Sequence, residues 1–230
     1  MAGKADKLVL ELEGHLRLMA QAGAEFGARR PRAKPTAGLT ATATEESLED
    51  IARRVLSCKL CPLARTRTKA VPGEGDSKAR LLFVGEAPGH DEDVQGRPFV
   101  GRAGQLLTKI IEAMSFRRED VFITNVVKCR PPENRTPVRE EADACGPYLT
   151  AQIEILNPKV IVSLGKSATD FFIRNARGMT QIRGEFYEYR GIPVMPTFHP
   201  SYILRQESIK SVKKQVWQDM QKVMTLLGRT

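Results

Sequence analysis

The sequence lacks any apolar run approaching the roughly 18–20 residues that a helical membrane span needs. It also lacks a secretory signal: residues 1–6 are polar, and Glu11 interrupts the apolar stretch from Leu8 to Leu12. A cytoplasmic protein with no membrane partner is therefore expected. Disulfides are rare in that compartment, so the chain's four cysteines need another use. No internal repeat occurs, and no low-complexity tract beyond one linker-like segment. Histidine is scarce: His15, His90 and His199 are the only three. No acid falls between Asp50 and Glu74, whereas Arg53, Arg54, Lys59, Arg65, Arg67 and Lys69 are all basic.

What is present describes a globular chain. Of 230 residues, 41% are hydrophobic and 27% charged, enough for a buried core and too apolar for wholesale disorder. Subtracting 27 Asp+Glu from 36 Lys+Arg leaves +9, a surplus that fits a polyanion such as nucleic acid.

Leu8, Leu12, Leu16 and Met19 recur at helical spacing, so residues 5–26 read as an amphipathic helix. Residues 27–43, with Pro31 and Pro35, read as a linker. The expected organisation is an extension over 1–45 and a functional domain over 46–230. Thr42-x-x-Glu45 fits a capping box ahead of a helix whose apolar stripe is Leu48, Ile51, Ala52 and Val55. Strands then alternate with helices. Strands are expected over 80–84, 121–127 and 159–164, and helices over 103–114, from Thr136-Pro137 onward, and over 167–175. A hairpin is expected to turn at Arg190-Gly191 between 185–189 and 193–197, before a last helix over 208–227. This α/β alternation implies a parallel sheet covered on both faces. Sites in such sheets lie beyond the carboxyl ends of the strands, so the loops after Val84, Val127 and Thr197 should meet in one crevice.

The cysteines are spaced as Cys58-x-x-Cys61, then Cys129, then Cys145. A zinc ribbon prefers two close pairs, and the second pair here is wide. A redox CxxC would leave Cys129 and Cys145 idle. A [4Fe–4S] cluster needs four thiolates and tolerates one distant pair, and Pro62 follows Cys61 directly. Spacing leaves these readings open beside that of unrelated buried cysteines. Lys128 and Arg130 flank Cys129, and nearby cations ease thiol ionisation. The same basic loops could offer cations to phosphates.

Three loops carry candidate chemistry. The first runs from Gly85 through Glu86, Ala87, Pro88 and Gly89 to Gly96-Arg97-Pro98-Phe99-Val100-Gly101. Its glycines allow close backbone approach to a ligand, and Phe99 is placed to anchor the loop or to stack on a planar ring. Its acids Glu86, Asp91, Glu92 and Asp93 could together hold Mg²⁺. In the second loop, Asn125 puts a bare amide at an apolar strand end, where it must be satisfied by backbone or by a ligand. In the third, His199 precedes Pro200-Ser201-Tyr202-Ile203-Leu204-Arg205. A helix opening there would present N–H groups to a phosphate, and a neutral histidine can donate to a forming oxyanion.

The strings GEAPG, GRPFVG, TNVVKCRPP and HPSYILR, in this order and with these cysteines, resemble the family 4, iron–sulfur uracil-DNA glycosylases over roughly residues 50–226. The resemblance implies a three-layer α/β/α sandwich with a central four-stranded, mostly parallel sheet. It implies an enzyme that flips uracil out of DNA, single- or double-stranded, and hydrolyses its N-glycosidic bond. Gly85, Glu86 and Ala87 match the motif that contacts uracil and the attacking water. Phe99 matches the stacking ring, Asn125 the amide reading O4 and N3–H, His199 the donor to O2, and Glu92 the acid beside C5. Glu86 and His199 are then the expected catalytic residues. Cys58, Cys61, Cys129 and Cys145 match the ligands of a [4Fe–4S] cluster. Ser201 and Arg205 are expected at the DNA, with Ile203 and Leu204 either wedging into the vacated stack or packing under the last helix. A monomer is expected, and a replication clamp is a conceivable further partner. One related branch, UdgX, traps the abasic sugar on a histidine of an extra basic loop. Residues 129–137 here are short and hold no histidine, and Ala87 stands where that branch has Gln, so turnover is expected. The competing expectations are a non-catalytic iron–sulfur DNA-binding module and a metal-dependent hydrolase using Asp91, Glu92 and Asp93.

Overall fold

Alternate residues of one short strand face opposite ways, and that strand organises the fold. The structure, a computed structural model, describes residues 46–173, 177–205 and 209–229. In β2 (Leu81–Gly85; the two-residue β1 is Glu74–Gly75), Leu82 and Val84 point into one apolar layer while Leu81 and Phe83 point into another. Burial on both faces is what a run such as LLFVG requires. The other strands are β3 (Phe122–Asn125), β4 (Val160–Leu164), β5 (Tyr187–Tyr189) and β6 (Ile192–Thr197). The sheet order is β1-β3-β2-β4-β6-β5. The inner four strands are parallel, and β1 and β5 pair antiparallel at the two edges. The expected four-stranded parallel sheet is thus the centre of a six-stranded one.

The helices are α1 (Leu48–Ser57), α2 (His90–Gln95), α3 (Arg102–Ala113), α4 (Arg139–Leu156), α5 (Lys166–Phe172), α6 (Met179–Ile182), α7 (Pro200–Arg205) and α8 (Ile209–Leu226). Leu48, Ile51 and Val55 of α1 join Leu149 and Ile153 of α4 on one face of the sheet. Leu107 and Ile111 of α3 join Val216, Met220 and Val223 of α8 on the other. These are the three layers of an α/β/α sandwich. Among the described residues, no helix is long and apolar enough to cross a membrane.

Several boundaries differ from the sequence reading. The helix expected over 5–26, the linker over 27–43 and Thr42 lie outside the described residues. Helix α1 is instead capped by Ser47, whose hydroxyl accepts from the Asp50 N–H while the Asp50 carboxylate accepts from the Ser47 N–H. Helix α4 starts at Arg139 and not at Pro137. Glu141 draws the start inward: its carboxylate accepts from the Val138 N–H and pairs with Arg135. Strand β1 and helix α2 leave no pattern in the sequence, since each is short and held by distant contacts. The hairpin around Arg190-Gly191 forms as expected, with Tyr189 opposite Ile192.

Removing the Ser47 hydroxyl leaves a first-turn N–H without its acceptor. Ser47→Ala should lower stability by about 1 kcal/mol, read from the urea unfolding midpoint. An unshifted midpoint would show that this cap does not hold α1.

Candidate active site

β2 ends at Gly85 beside Asn125 at the end of β3. β6 ends at Thr197, opposite Leu164 of β4, and the chain reaches His199 two residues later. A pocket of about 780 Å³ opens at these carboxyl ends, and Glu86, Ala87, Glu92, Phe99, Asn125 and His199 all line it. The three loops therefore meet in one crevice. Gly85 is buried behind that wall. A Cβ on it would fall 2.4 Å from Asn125 Oδ1 and 2.5 Å from Phe99 Cζ. Only a glycine there lets the amide and the ring close over the strand end.

Phe99 is 6% exposed and adopts φ +49°, a left-handed conformation that is uncommon for a bulky residue. Two contacts hold it there. Gly104 in α3 lies so close that a Cβ would be 1.9 Å from the Phe99 carbonyl oxygen. Glu92 Oε1 accepts from the N–H groups of Val100 (2.8 Å) and Gly101 (2.9 Å), just past Phe99, while Oε2 accepts from Gly89 (3.1 Å). Glu92 thus touches the pocket and also fixes the loop that carries the ring. The Phe99 and His199 rings stand 5.6 Å apart at 34°.

Asn125 is 2% exposed, and its Oδ1 is the one buried side-chain polar atom among the described residues with no hydrogen-bond partner. A buried acceptor left unpaired costs roughly 1–3 kcal/mol, so the site favours a ligand that donates to it. His199 Nδ1 accepts from the Ser201 main-chain N–H at 3.1 Å and lies 2.7 Å from the Ser201 hydroxyl. A main-chain N–H can only donate, so the neutral ring carries its proton on Nε2. Burial, with the Arg205 charge as a lesser cause, pushes the His199 pKa down to about 4. The ring is thus a neutral donor at ordinary pH.

The remaining candidates separate. The Ser201 N–H is committed to His199, so the expected phosphate-binding helix start is not free. Arg205 is exposed and lines the pocket mouth. Ile203, at 1% exposure, packs with Val216 and Met220, which excludes it as a wedge; Leu204 is half-buried. The acids of the first loop do not converge on one ion: Glu92 serves the three N–H groups above, and buried Asp93 accepts from the Thr68 and Lys69 N–H groups. Glu86 is half-buried in the pocket wall. Lys166, Ser167, Met179 and Thr180 line the pocket too, and nothing in the sequence pattern had marked them.

Cys58, Cys61, Cys129 and Cys145 surround one small apolar recess with Val55, Leu60 and Tyr148. Arg67 donates to Cys129 Sγ at 2.9 Å, and the Lys128 main-chain N–H donates to Cys145 Sγ at 3.3 Å. Among the described residues, no three His, Cys, Asp or Glu side chains stand close enough to share one metal ion. Burial pushes the Cys145 thiol up to about 11 against the opposing Lys128 charge, and raises Cys129 despite Arg67. Burial therefore outweighs the cations that were expected to ease ionisation. Two of those cations are not offered to phosphates either. Arg67 also binds the carbonyls of Leu56 and Cys58, and Lys128 is 1% exposed. Burial pushes the Lys128 pKa down to about 7, and Nζ stands within hydrogen-bond reach of Thr124 Oγ1 (2.5 Å), Asn125 O (2.8 Å) and Gln152 Oε1 (2.6 Å), three partners that favour the ammonium form.

The sign for His199 follows from its depressed pKa. Below its ordinary 6.5 the unfolded chain takes up a proton that the folded ring refuses until about 4, so this group costs stability as pH falls through that window. ¹⁵N NMR at pH 5.5 should show His199 neutral with its proton on Nε2. A doubly protonated ring at that pH would contradict the site geometry.

The chain matches the uracil DNA glycosylase superfamily over residues 72–221. It is 50% identical over 187 residues to a type-4 uracil-DNA glycosylase of Thermotoga maritima, a match spanning 80% of this chain and 97% of that protein. A type-4 uracil-DNA glycosylase of Archaeoglobus fulgidus is 43% identical over 192 residues, 80% of this chain and 95% of that one. A type-5 uracil-DNA glycosylase of Thermus thermophilus is 31% identical over 154 residues, 53% of this chain and 70% of that protein. With its strand-end pocket, its cysteine recess and relatives of this similarity along most of its length, the chain belongs to the uracil-DNA glycosylase superfamily, in its type-4 branch.

Proposed function

We propose that the chain excises uracil from DNA, taking an extruded deoxyuridine into the pocket and hydrolysing the bond between N1 and C1′ to leave an abasic site. The orphaned Asn125 Oδ1 carries this reading. A carboxamide offers one acceptor and a donor side by side, the complement of uracil N3–H and O4. Cytosine presents a donor in place of O4 and an acceptor at N3, so both pairings fail, at roughly 1–3 kcal/mol for each unpaired group. Phe99 supplies a face for the ring, and flipping the nucleotide costs a few kcal/mol.

Cleavage leaves the bonding electron pair on uracil, with charge gathering on O2, and a cationic sugar. His199 Nε2–H donates to that oxygen; one such donor is worth about 2.7–4 kcal/mol. Glu86 steadies the cation and orients the water, whose oxygen bonds to C1′ as its proton passes to solvent, while the uracil anion takes a proton from solvent as it leaves. Ala87 lies beside it in the same wall. Glu92 holds the Phe99 loop and bounds the pocket where a thymine methyl would reach. Arg205, at the mouth, is assigned a DNA phosphate, with Ser201 acting through His199. One copy of the chain holds every residue this reading uses.

We assign a [4Fe–4S] cluster to Cys58, Cys61, Cys129 and Cys145. The fit rests on an apolar recess framed by four sulfurs, two of which already accept N–H donors. Bound there, the cluster supplies a covalent cross-link and no step of the hydrolysis. Cys129 lies four residues past Asn125, so its ligation stiffens the loop presenting the amide.

Four measurements test the proposal. An oligonucleotide with one deoxyuridine, incubated with the protein and then treated with alkali, should be cut with or without EDTA; a strand intact in both would leave only a DNA-binding module, and one intact only in EDTA would leave the metal-dependent hydrolase. His199→Ser should slow single-turnover release at least tenfold, and Asn125→Asp should reduce the preference for uracil over cytosine. An unaltered rate or preference would remove that residue from its role. Anaerobically purified protein should absorb broadly near about 400 nm, and a colourless protein would exclude iron.

A further inference from the structure

The polar groups of Lys128 form a junction that the excision chemistry does not use. Its main-chain N–H donates to Cys145 Sγ, and its carbonyl accepts from the Val71 N–H at 2.8 Å. Its ammonium, nearly without solvent, meets Thr124, Gln152 and the Asn125 carbonyl. Each of these is tied further. Gln152 Nε2 in α4 donates to the Pro72 carbonyl at 2.7 Å, which aims its oxygen at Lys128. Thr124 Oγ1 donates to the same carbonyl at 3.1 Å and so presents a lone pair to Lys128.

The position of this junction matters. The β2–β3 ladder ends at Asn125, and the chain then turns toward Cys129. Beyond that end, the Val126 and Val127 N–H groups reach back to the Gly85 and Glu86 carbonyls. The Asn125 carbonyl faces the other way, and Lys128 takes it from three residues on. The peptide plane after Asn125 is therefore held from both sides, and with it the Cα–Cβ direction of the amide. No carboxylate hydrogen-bonds to the Lys128 ammonium among the described residues; the ionisable group beside it is the Cys145 thiol. A buried cation is costly, and three aligned acceptors are what make it tolerable.

We propose that Lys128 is a positioning residue for base selection: by fastening the Asn125 main chain to α4 and to the segment before β1, it fixes the amide at the angle that accepts uracil. The proposal rests on the excision reading above, in which Asn125 reads the pyrimidine edge. Misplacement by a fraction of an ångström weakens a bidentate contact sharply, because both hydrogen bonds depend on one orientation. Lys128 does not line the base pocket, so its effect on uracil runs through Asn125.

A double-mutant cycle isolates that route. The readouts are inhibition of single-turnover cleavage by free uracil, affinity for an oligonucleotide bearing a base-free tetrahydrofuran site, and iron per chain. Lys128→Met, close in length and without charge, should weaken inhibition by free uracil at least tenfold. Affinity for the base-free oligonucleotide should change less than twofold, and iron content should be unchanged. In an Asn125→Ala background, the same Lys128→Met step should alter inhibition less than twofold, because the group it positions is gone. Equal losses in both backgrounds would overturn the proposal, as would unchanged inhibition in Lys128→Met or a parallel fall in base-free DNA affinity or iron. If Lys128→Met does not fold, Gln152→Leu carries the same cycle: it removes one anchor of the ammonium, and its loss of uracil inhibition should likewise vanish with Asn125→Ala. A wild-type protein that neither cleaves the deoxyuridine strand nor responds to uracil would instead defeat the excision reading itself.

Discussion

A side chain is missing at Gly85, and the pocket exists because of it. The last residue of β2 sits directly behind two groups that must reach the same small volume from different loops. Asn125 comes from the adjacent strand, and Phe99 from a segment that has passed through α2 and returned. Any Cβ at Gly85 would meet both within 2.5 Å. Backbone hydrogen bonds of the parallel ladder fix Gly85 and Asn125, and the Glu92 carboxylate holds the loop of Phe99, so neither group could retreat without breaking hydrogen bonds. A fold that brings the carboxyl ends of its strands together supplies the location; the glycine supplies the closeness.

Around that point, the ring, the amide and the imidazole are each oriented by a polar clamp. Glu92 fixes the amides after Phe99, Lys128 fixes the Asn125 carbonyl, and Ser201 fixes the His199 tautomer. These clamps have a common logic. A buried polar group is stable only when paired, so a partner that pairs one end of a residue also decides where its other end points. Among the described residues the unpaired Asn125 Oδ1 is the exception, an acceptor left open to a donor from outside the chain. The cysteine recess extends this framework, since Cys129 and Cys145 flank the Lys128 junction through neighbouring residues.

Much of the frame was legible in the sequence because apolar runs closed by glycine, such as LLFVG and KVIVSLG, leave little choice but a buried strand. The convergence of the loops after β2, β3 and β6 followed from the parallel rule alone, while the pairing of Phe99, Asn125 and His199 with particular ligand atoms rested on motif resemblance. What was not legible depends on distant partners. Ser47 and Thr42 both head a capping pattern, and Glu141 overrides the helix start suggested by Thr136-Pro137. Acid-rich 90–95 looked like a loop or a cation site, yet it is a helix whose Glu92 and Asp93 answer backbone donors in other segments. Lys128 and Arg67 read as surface cations because charge in a sequence carries no sign of burial. A lysine between Val127 and Cys129, after a buried strand, was the one clue to its interior place.

The central claim is spatial: a ring, an amide and an imidazole enclose one planar pyrimidine. A crystal structure of the protein soaked with free uracil tests it most directly. The account predicts the base lying on the Phe99 face, with N3–H on Asn125 Oδ1, O4 on the Asn125 amide nitrogen and O2 on His199 Nε2. Uracil bound elsewhere, or lodged in the pocket with Asn125 Oδ1 still unpaired, would contradict it.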